Sequence, residues 1–220
     1  MAFQILGADG VTVIAGDAAS KALRITPRPI DVGTLGSYSI GLATGVMAAA
    51  LAANSEIVQF RWADATRLCL VRVVTISAAV NTTAFTAAVG RFEMRAARAW
   101  SAAGSGGTRT TFGTNDSKRK TGFGQSIITA SDVGISTTAA LTAGTKTLDG
   151  TSLNDVTFPC TTAGSLMLAP YPLWSPNFSG EWPLVLGQNE GFVIRVPLIA
   201  ATGTWTASVA IEWTELASFQ

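Results

Sequence analysis

The feature that most constrains the fold is a regular alternation of apolar and polar residues between Gly191 and Leu216. In the second half of this stretch, one set of alternate positions is apolar throughout: Trp205, Ala207, Val209, Ile211 and Trp213. A period of two is typical of a β-strand with one buried face, because successive side chains point to opposite sides of a sheet. The first half alternates too, and residues 200–203 provide a short turn. The stretch predicts a β-hairpin, whose apolar face needs covering strands because an isolated hairpin is only marginally stable.

Strand-like segments recur along the chain, and glycine-rich or polar connections separate them. They lie at 37–51, 56–62, 68–77, 86–100, 126–141 and 164–169. The first divides at Thr44 and Gly45, and the alanine-rich residues 46–53 leave a helical alternative open. Residues 68–77 are apolar on both faces, as expected of a central strand. About eight or more strands with such connections predict an all-β protein with a jelly-roll-like antiparallel β-sandwich.

The beginning of the chain differs from the rest, and we predict an extended N-terminal arm at 1–35 before a single β-sandwich domain at 36–220. Two prolines flank Arg28 in a segment that suits neither a helix nor a central strand. Apolar residues of the arm, among them Phe3 and Ile5, have two open interpretations. They either lie across a neighbouring subunit or add an edge strand to the chain's own sheet.

Composition favours a subunit that buries much of its surface. The net charge is +1, charged residues make up 13% of the chain and the mean hydropathy is +0.36. That charged fraction is about half the usual share, and a surface so poor in charge favours association. The longest apolar run, 41–53, is mostly alanine and too short for a spanning helix, which needs roughly 20 apolar residues. We therefore expect no membrane partner.

The N-terminus lacks a cationic region followed by an apolar core, so no signal peptide is predicted and synthesis in the cytoplasm is expected. The two cysteines, Cys69 and Cys160, make no disulfide framework. Cys69 lies in an apolar strand and is expected to be a buried hydrophobe. A disulfide between the two remains an open alternative.

Catalytic chemistry is sparse in this sequence. It contains no histidine, which removes the commonest general base, the Ser-His-Asp and Cys-His systems and most zinc sites. Two carboxylate pairs, Glu181 with Glu190 and Asp149 with Asp155, are better interpreted as solvated loop acids than as an acid–base couple. The Gly-Ser-Gly-Gly sequence at 104–107 lacks the Gly-Lys-Ser/Thr ending of a phosphate-binding loop. The prediction is a protein that is not an enzyme and that binds no metal or cofactor.

The segment 101–124 is glycine-rich and predicts a long exposed loop, with a polar connection following at 142–161. Such loops are usually functional or become ordered on a partner. The loop carries four basic residues: Arg109, Lys118, Arg119 and Lys120. Without interleaved aromatic residues these are a weak signal for nucleic acid, and a solvated loop tip or a contact with a neighbouring subunit is the favoured interpretation.

Residues 170–183 contain four prolines and predict a rigid irregular loop. Its aromatic residues are Tyr171, Trp174, Phe178 and Trp182. Aromatic rings on loops bind sugars, but they also close the end of a sandwich or fill subunit interfaces, where they are enriched. We favour a core or interface role and keep glycan binding through Trp174 and Trp182 as the alternative.

Four stretches together resemble small virion proteins of tailed bacteriophages, and more loosely the jelly-roll proteins that decorate or cement capsids. They are QFRWADATRLCLVRVV at 59–74, TAAVGRFEMRAARAW at 86–100 with the Gly/Thr-rich loop that follows it, ISTTAALTAGTKTLDG at 135–150 and the terminal GFVIRVPLIAATGTWTASVAIEWTE. The resemblance covers about half the chain, matches no catalytic signature and carries over no active site. It implies a homo-oligomer, often a trimer, that is made in host cytoplasm and resides in the virion.

The expected function is a non-enzymatic, capsid-decorating or cement subunit, with the major capsid protein or other virion subunits as partners. The alternative is a tail or fibre subunit that binds host glycans. The predicted contact residues are Phe3, Ile5, Arg28, Arg109, Lys118, Arg119, Lys120, Tyr171, Trp174, Phe178 and Trp182.

Overall fold

The computed structural model describes residues 35–49, 51–175 and 183–217, and within these ranges it contains strands and no helix. The strands are β1 (Gly36–Ala43), β2 (Met47–Ala48), β3 (Ser55–Trp62), β4 (Leu68–Val80), β5 (Ala88–Ala102), β6 (Thr108–Arg109), β7 (Val133–Ile135), β8 (Thr145–Leu148), β9 (Asn154–Cys160), β10 (Leu166–Trp174), β11 (Leu184–Leu186), β12 (Glu190–Leu198) and β13 (Thr204–Leu216). The predicted arm at 1–35, apart from its last residue, lies outside the described residues.

The strands form two antiparallel sheets packed face to face. A six-stranded sheet has the order β1-β13-β4-β10, with β11 pairing β4 and β2 pairing β13. A seven-stranded sheet has the order β6-β7-β3-β12-β5-β8, with β9 pairing β5. The eight longest strands are β1, β3, β4, β5, β9, β10, β12 and β13. When these are renumbered one to eight along the chain, their order is 1-8-3-6 in the six-stranded sheet and 2-7-4-5 in the seven-stranded sheet. This is the paired Greek-key arrangement of a jelly roll, so the predicted fold class is confirmed.

Aromatic rings join the two sheets across the core. Trp213 of the six-stranded sheet stacks on Tyr38 at 5.4 Å between ring centroids and meets Phe60 of the opposite sheet edge-on at 5.6 Å. Trp205 also reaches the opposite sheet: its ring centre lies 5.6 Å from that of Phe92, and the two ring planes are tilted by 46°. All five residues are fully buried. Offset and edge-on ring pairs add to the stabilisation that burial itself provides.

The predicted hairpin at 191–216 is wrong, although both of its strands exist. β12 pairs with β3 and β5, whereas β13 pairs with β1 and β4, so the two lie in opposite sheets. Alternation shows which residues of a strand face the core, but it carries no information about which strand lies beside it. The short connection after Leu198 crosses between the sheets instead of reversing the chain within one sheet.

Two predicted connections contain strands. The polar connection at 142–161 includes β8 and β9, and β9 pairs with β5 along its full length. The predicted irregular loop at 170–183 begins inside β10, which continues through Pro170 and Pro172 to Trp174. Proline lacks a backbone donor and is tolerated at sheet edges and bulges. The pairing of β10 with β4 has several register shifts, and β10 is the last strand in its sheet.

Most residues of the glycine-rich segment 101–124 are exposed, as predicted, but the segment also pairs with the sandwich. β5 extends into it as far as Ala102, and β6 pairs with β7. Phe112 is buried and meets Trp213 edge-on at 5.7 Å. Lys118 forms an isolated bridge with Tyr38. Strand pairing with β7, one buried aromatic ring and backbone hydrogen bonds to β1 therefore hold this segment against the sandwich.

Candidate assembly surface

The central part of the outer face of the six-stranded sheet, where β1, β4 and β13 pair, is built from small, uncharged side chains. Because β1, β4 and β13 turn their large apolar residues into the core, period two places the intervening residues outside. Cross-strand pairs place these residues in rows: Gly41, Ala210 and Thr75; Ala43, Ser208 and Ser77; Thr206 and Ala79. Gly41, Ala43, Ser208 and Ala210 are exposed. We call this set of residues the small-residue face.

A shallow groove crosses the small-residue face. Its volume is about 380 Å³, and Gly41, Pro170 and Ala210 are among the residues that line it. The face ends at an ion pair between Arg119 and Glu212. Because the side chains of these central strands are short, another protein surface can approach the sheet backbone closely.

The predicted basic residues do not form one patch. Arg109 lies on β6 of the seven-stranded sheet, where its Nη2 donates to Oε1 of Gln59 at 3.2 Å and burial lowers its pKa. The segment from Lys118 to Lys120 instead lies along β1 of the other sheet: the amide of Ser39 donates to Ser117 O at 2.8 Å, and the amide of Arg119 donates to Ser37 O at 2.9 Å. Nζ of Lys120 lies 5.8 Å from the ring centre of Phe123. The segment therefore covers part of the β1 edge.

Two of the four predicted aromatic residues lie among the described residues. Tyr171 is half-buried, and Trp174 is buried with its indole Nε1 donating to the carbonyl of Val71 at 3.2 Å. A ring so enclosed presents little surface to a sugar. Five other predicted residues lie outside the described residues, as does Glu181: Phe3, Ile5, Arg28, Phe178 and Trp182.

The outer face of the seven-stranded sheet is charged, in contrast to the small-residue face. Glu93 is 2% exposed, and Arg95 donates to its carboxylate at 2.8 Å. Arg195 donates to the same oxygen, and Arg91 lies 4.0 Å from the other. Burial alone would raise the pKa of Glu93, but the hydrogen bonds and charges of Arg95 and Arg195 outweigh it and hold that pKa below its usual value.

The remaining predicted carboxylates take part in surface ion pairs. Asp149 lies 3.5 Å from Nε of Arg98, and Glu190 lies 2.6 Å from Nη1 of the same arginine. Asp155 lies 3.8 Å from Arg91. Each of these carboxylates faces a guanidinium, which is the arrangement of charge-balanced surface acids.

One end of the sandwich contains a buried carboxylate that the sequence analysis missed. Glu215 is fully buried, and Arg67 Nη1 and Ser126 Oγ each lie 2.8 Å from its oxygens, while the amide of Ile127 donates at 3.1 Å. Burial, followed by the charge of Glu215, raises the pKa of Tyr38 to about 12, against the opposing effect of Arg67. The sequence contained one indication of this burial, because Glu215 follows Trp213 by two residues and therefore falls on the inward-facing side of β13. With these donors in place, the carboxylate is a satisfied structural group.

The cysteines are unpaired, and both are buried. Burial raises the pKa of each thiol, and the charge of Glu215 adds to this effect at Cys69. Among residues 35–49, 51–175 and 183–217, no three His, Cys, Asp or Glu side chains are grouped as metal ligands would be. The same ranges contain no helix with the length and apolar character of a bilayer-spanning segment.

No protein-family model matches this chain, and no curated protein matches it at a significant level. The jelly roll and its two unlike outer faces are the features of this protein that bear on its function.

Proposed function

We propose that this protein is a non-enzymatic structural subunit of a bacteriophage virion, of the capsid-decorating or cement type, that acts as a homo-oligomer. The observation that carries the proposal is the small-residue face on a jelly-roll sandwich. Jelly rolls serve in viral capsids and in lectins. The resemblance of the sequence to phage virion proteins supports the first of these uses.

The small-residue face suits contact with neighbouring subunits. Its exposed central residues, among them Ser208 and Ala210, are uncharged, so burying them leaves no charge without a partner. A standard interface buries about 1,600 Å² in total, and apolar area contributes roughly 25 cal/mol per Å². Repetition around a symmetric shell then converts modest contacts into strong attachment.

The two outer faces differ in character, so each suits different surroundings. The seven-stranded sheet presents arginines balanced by acids, such as Arg91 with Asp155, and this face suits contact with water. The small-residue face suits contact with protein. We infer that the subunit turns its small-residue face to its neighbours and its charged face to solvent, and the resemblance to phage proteins suggests a trimer as the oligomer.

The tail or fibre alternative draws less support from the described residues. It requires exposed rings that stack on sugars, and Trp174 is instead packed in the core with its indole N–H bonded to Val71. Trp182, the other ring in that hypothesis, lies outside the described residues.

The proposal is tested by the amount of protein on purified virions. Ser208→Arg places a long cation on the small-residue face, and Thr157→Arg is the matched control, because Thr157 is an exposed strand residue of the other sheet. We expect quantitative mass spectrometry of virions to show loss of the Ser208→Arg subunit and normal occupancy by the Thr157→Arg subunit. Equal occupancy by both variants, or absence of the wild-type chain from virions, would contradict the proposal.

A second variant tests the arm separately. Deletion of residues 1–30 is expected to abolish attachment if the arm lies across a neighbouring subunit. Unchanged occupancy after this deletion would remove the arm from the set of contact regions and leave the small-residue face in place.

A further inference from the structure

A buried lysine, glutamate and glutamine meet on the outer side of the seven-stranded sheet. The side chain of Lys146 is 2% exposed and that of Glu56 is 8% exposed. Gln59 is fully buried. Lys146 Nζ lies 2.8 Å from Glu56 Oε2, and Gln59 Nε2 donates to the same oxygen at 2.6 Å. One carboxylate oxygen thus holds an amine beside a carboxamide.

A β-bulge explains how two residues of β3 reach this site together. Residues three apart in a regular strand point to opposite faces, but the pairing of β3 with β12 shifts register between Ile194 and Arg195. Glu56 pairs with Arg195 and Gln59 pairs with Val193, so the extra residue places both on the outer face.

The lysine reaches the site because the chain crosses the sheet just before it. The amide of Leu141 donates to the carbonyl of Glu56 at 2.9 Å, and β8 then pairs with β5. The ring of Trp100 lies 4.5 Å from Lys146 Nζ. This segment and the ring enclose the charged groups.

Arg109 completes the arrangement on the other side of the carboxamide. Its Nη2 donates to Gln59 Oε1 at 3.2 Å, while its Nη1 is buried without a hydrogen-bond partner. Gln59 Nε2 also donates to the carbonyl of Thr142 at 2.7 Å. Two acceptors therefore face the amide nitrogen and a cationic donor faces the amide oxygen. Donors aimed at a carbonyl oxygen stabilise the negative charge that develops there during attack on its carbon.

We propose that Lys146 and Gln59 join spontaneously through an intramolecular amide bond, with Glu56 as the acid–base and Arg109 as the donor to the oxyanion. In aminolysis of a carboxamide, the nucleophile is the amine, the electrophile is the amide carbon and the leaving group is ammonia. The four side chains supply these roles and the proton transfers between them. The proposal concerns this buried site alone and is independent of the virion assignment.

The reaction balances without an external reagent. The Lys146 ammonium gives a proton to the Glu56 carboxylate, and the free amine attacks Cδ of Gln59, forming the Nζ–Cδ bond. The oxyanion faces Arg109. Glu56 passes its proton to Nε2 and takes one from the attacking nitrogen as the Cδ–Nε2 bond breaks. The released ammonia takes that proton and leaves as ammonium, so Glu56 is a carboxylate again.

Two physical effects favour the step at this site. Fixing amine and amide on one oxygen replaces an encounter in solution, and well-oriented intramolecular reactions reach effective molarities of about 10⁵–10⁸ M. A positioned acid–base contributes about 10²–10⁴-fold. Loss of ammonia to dilute solution then makes the product accumulate.

The experiment is the intact mass of the purified, denatured wild-type chain. We expect it to fall below the mass of the sequence by one ammonia molecule, and peptide mapping to place Gln59 and Lys146 in one branched peptide. Refolded protein that begins unlinked is expected to lose ammonia with time. A folded wild-type chain that keeps its full sequence mass after prolonged incubation would overturn the proposal without any variant.

Variants assign the roles. Lys146→Arg keeps the cation but removes the nucleophile, and Glu56→Gln keeps the shape but removes the acid–base, so both are expected to show their full sequence masses. Lys120→Arg changes a surface lysine and is expected to keep the ammonia deficit. A deficit that persists in Lys146→Arg would place the lost ammonia elsewhere and refute the cross-link.

Discussion

Replacement of Glu93 by glutamine probes the charged network of the seven-stranded sheet. The Glu93 side chain is 3% exposed, while those of Arg95 and Arg195 are 20% and 14% exposed. Glutamine keeps the shape but removes the charge and directs N–H groups at guanidinium donors. Breaking a buried pair from one side costs about 3–5 kcal/mol, and the partial exposure of the arginines reduces this, so we expect a loss of about 2–3 kcal/mol in the free energy of unfolding.

Thermal and urea unfolding at neutral pH measure this loss. For a domain of this size, each kcal/mol shifts Tm by about 2–4 °C, so Glu93→Gln should lower it by roughly 4–12 °C. Asp155→Asn is the matched control, because Asp155 and its partner Arg91 are 45% and 43% exposed. An exposed pair of this kind contributes about 0–1 kcal/mol.

The difference in unfolding free energy between wild type and Glu93→Gln should become smaller as pH falls. The pKa of Glu93 is lower in the folded protein than its usual 4.5, so the unfolded chain takes up the proton first as pH falls. Its stabilising contribution is therefore complete above that usual value and is lost as pH falls through the folded-state pKa. A cost equal to that of Asp155→Asn, or a cost that does not shrink in acid, would refute this reasoning.

Two further outcomes follow from the core. Trp213→Ala removes a fully buried ring that contacts three other rings, and chemical unfolding should show a loss of about 3–5 kcal/mol in the free energy of unfolding. The control Val89→Ala, at a site 50% exposed, should change this free energy by no more than about 0.5 kcal/mol. Similar losses in the two variants would mean that Trp213 is not in the core. Cys69 and Cys160 should resist alkylation in the native protein and react after denaturation, because burial raises the pKa of both thiols and the thiolate is the reactive form. Rapid native labelling, followed by mass spectrometry, would contradict the placement of the labelled cysteine.

The strands were largely predictable from alternation, and their partners were not. The break at Thr44 and Gly45 and the central position of β4 appear in the structure as predicted. β9 was missed even though Val156, Phe158 and Cys160 alternate, because Pro159 and the polar residues around it are typical of a connection. Pairing depends on long-range packing of both sheets, which a local period of two does not encode.

The chemistry of the buried polar sites was less accessible to sequence analysis. Lys146 lies in a threonine- and glycine-rich stretch that is typical of a solvated loop, and its burial arises only because the preceding segment crosses the sheet. Glu56 and Gln59 share a face through a bulge that has no local sequence signal. Glu93 alternates with the buried Phe92 and Met94, which is typical of an outward position, but its burial depends on arginines from two strands.

The oligomeric mass of the purified protein in solution tests the central claim most directly. Sedimentation equilibrium of the wild-type chain should give a multiple of 22.7 kDa, with the trimer favoured, while Ser208→Arg should sediment as a folded monomer and Thr157→Arg should match wild type. A wild-type monomer at high concentration, or a Ser208→Arg oligomer as stable as the wild type, would contradict the claim that the small-residue face is buried between subunits.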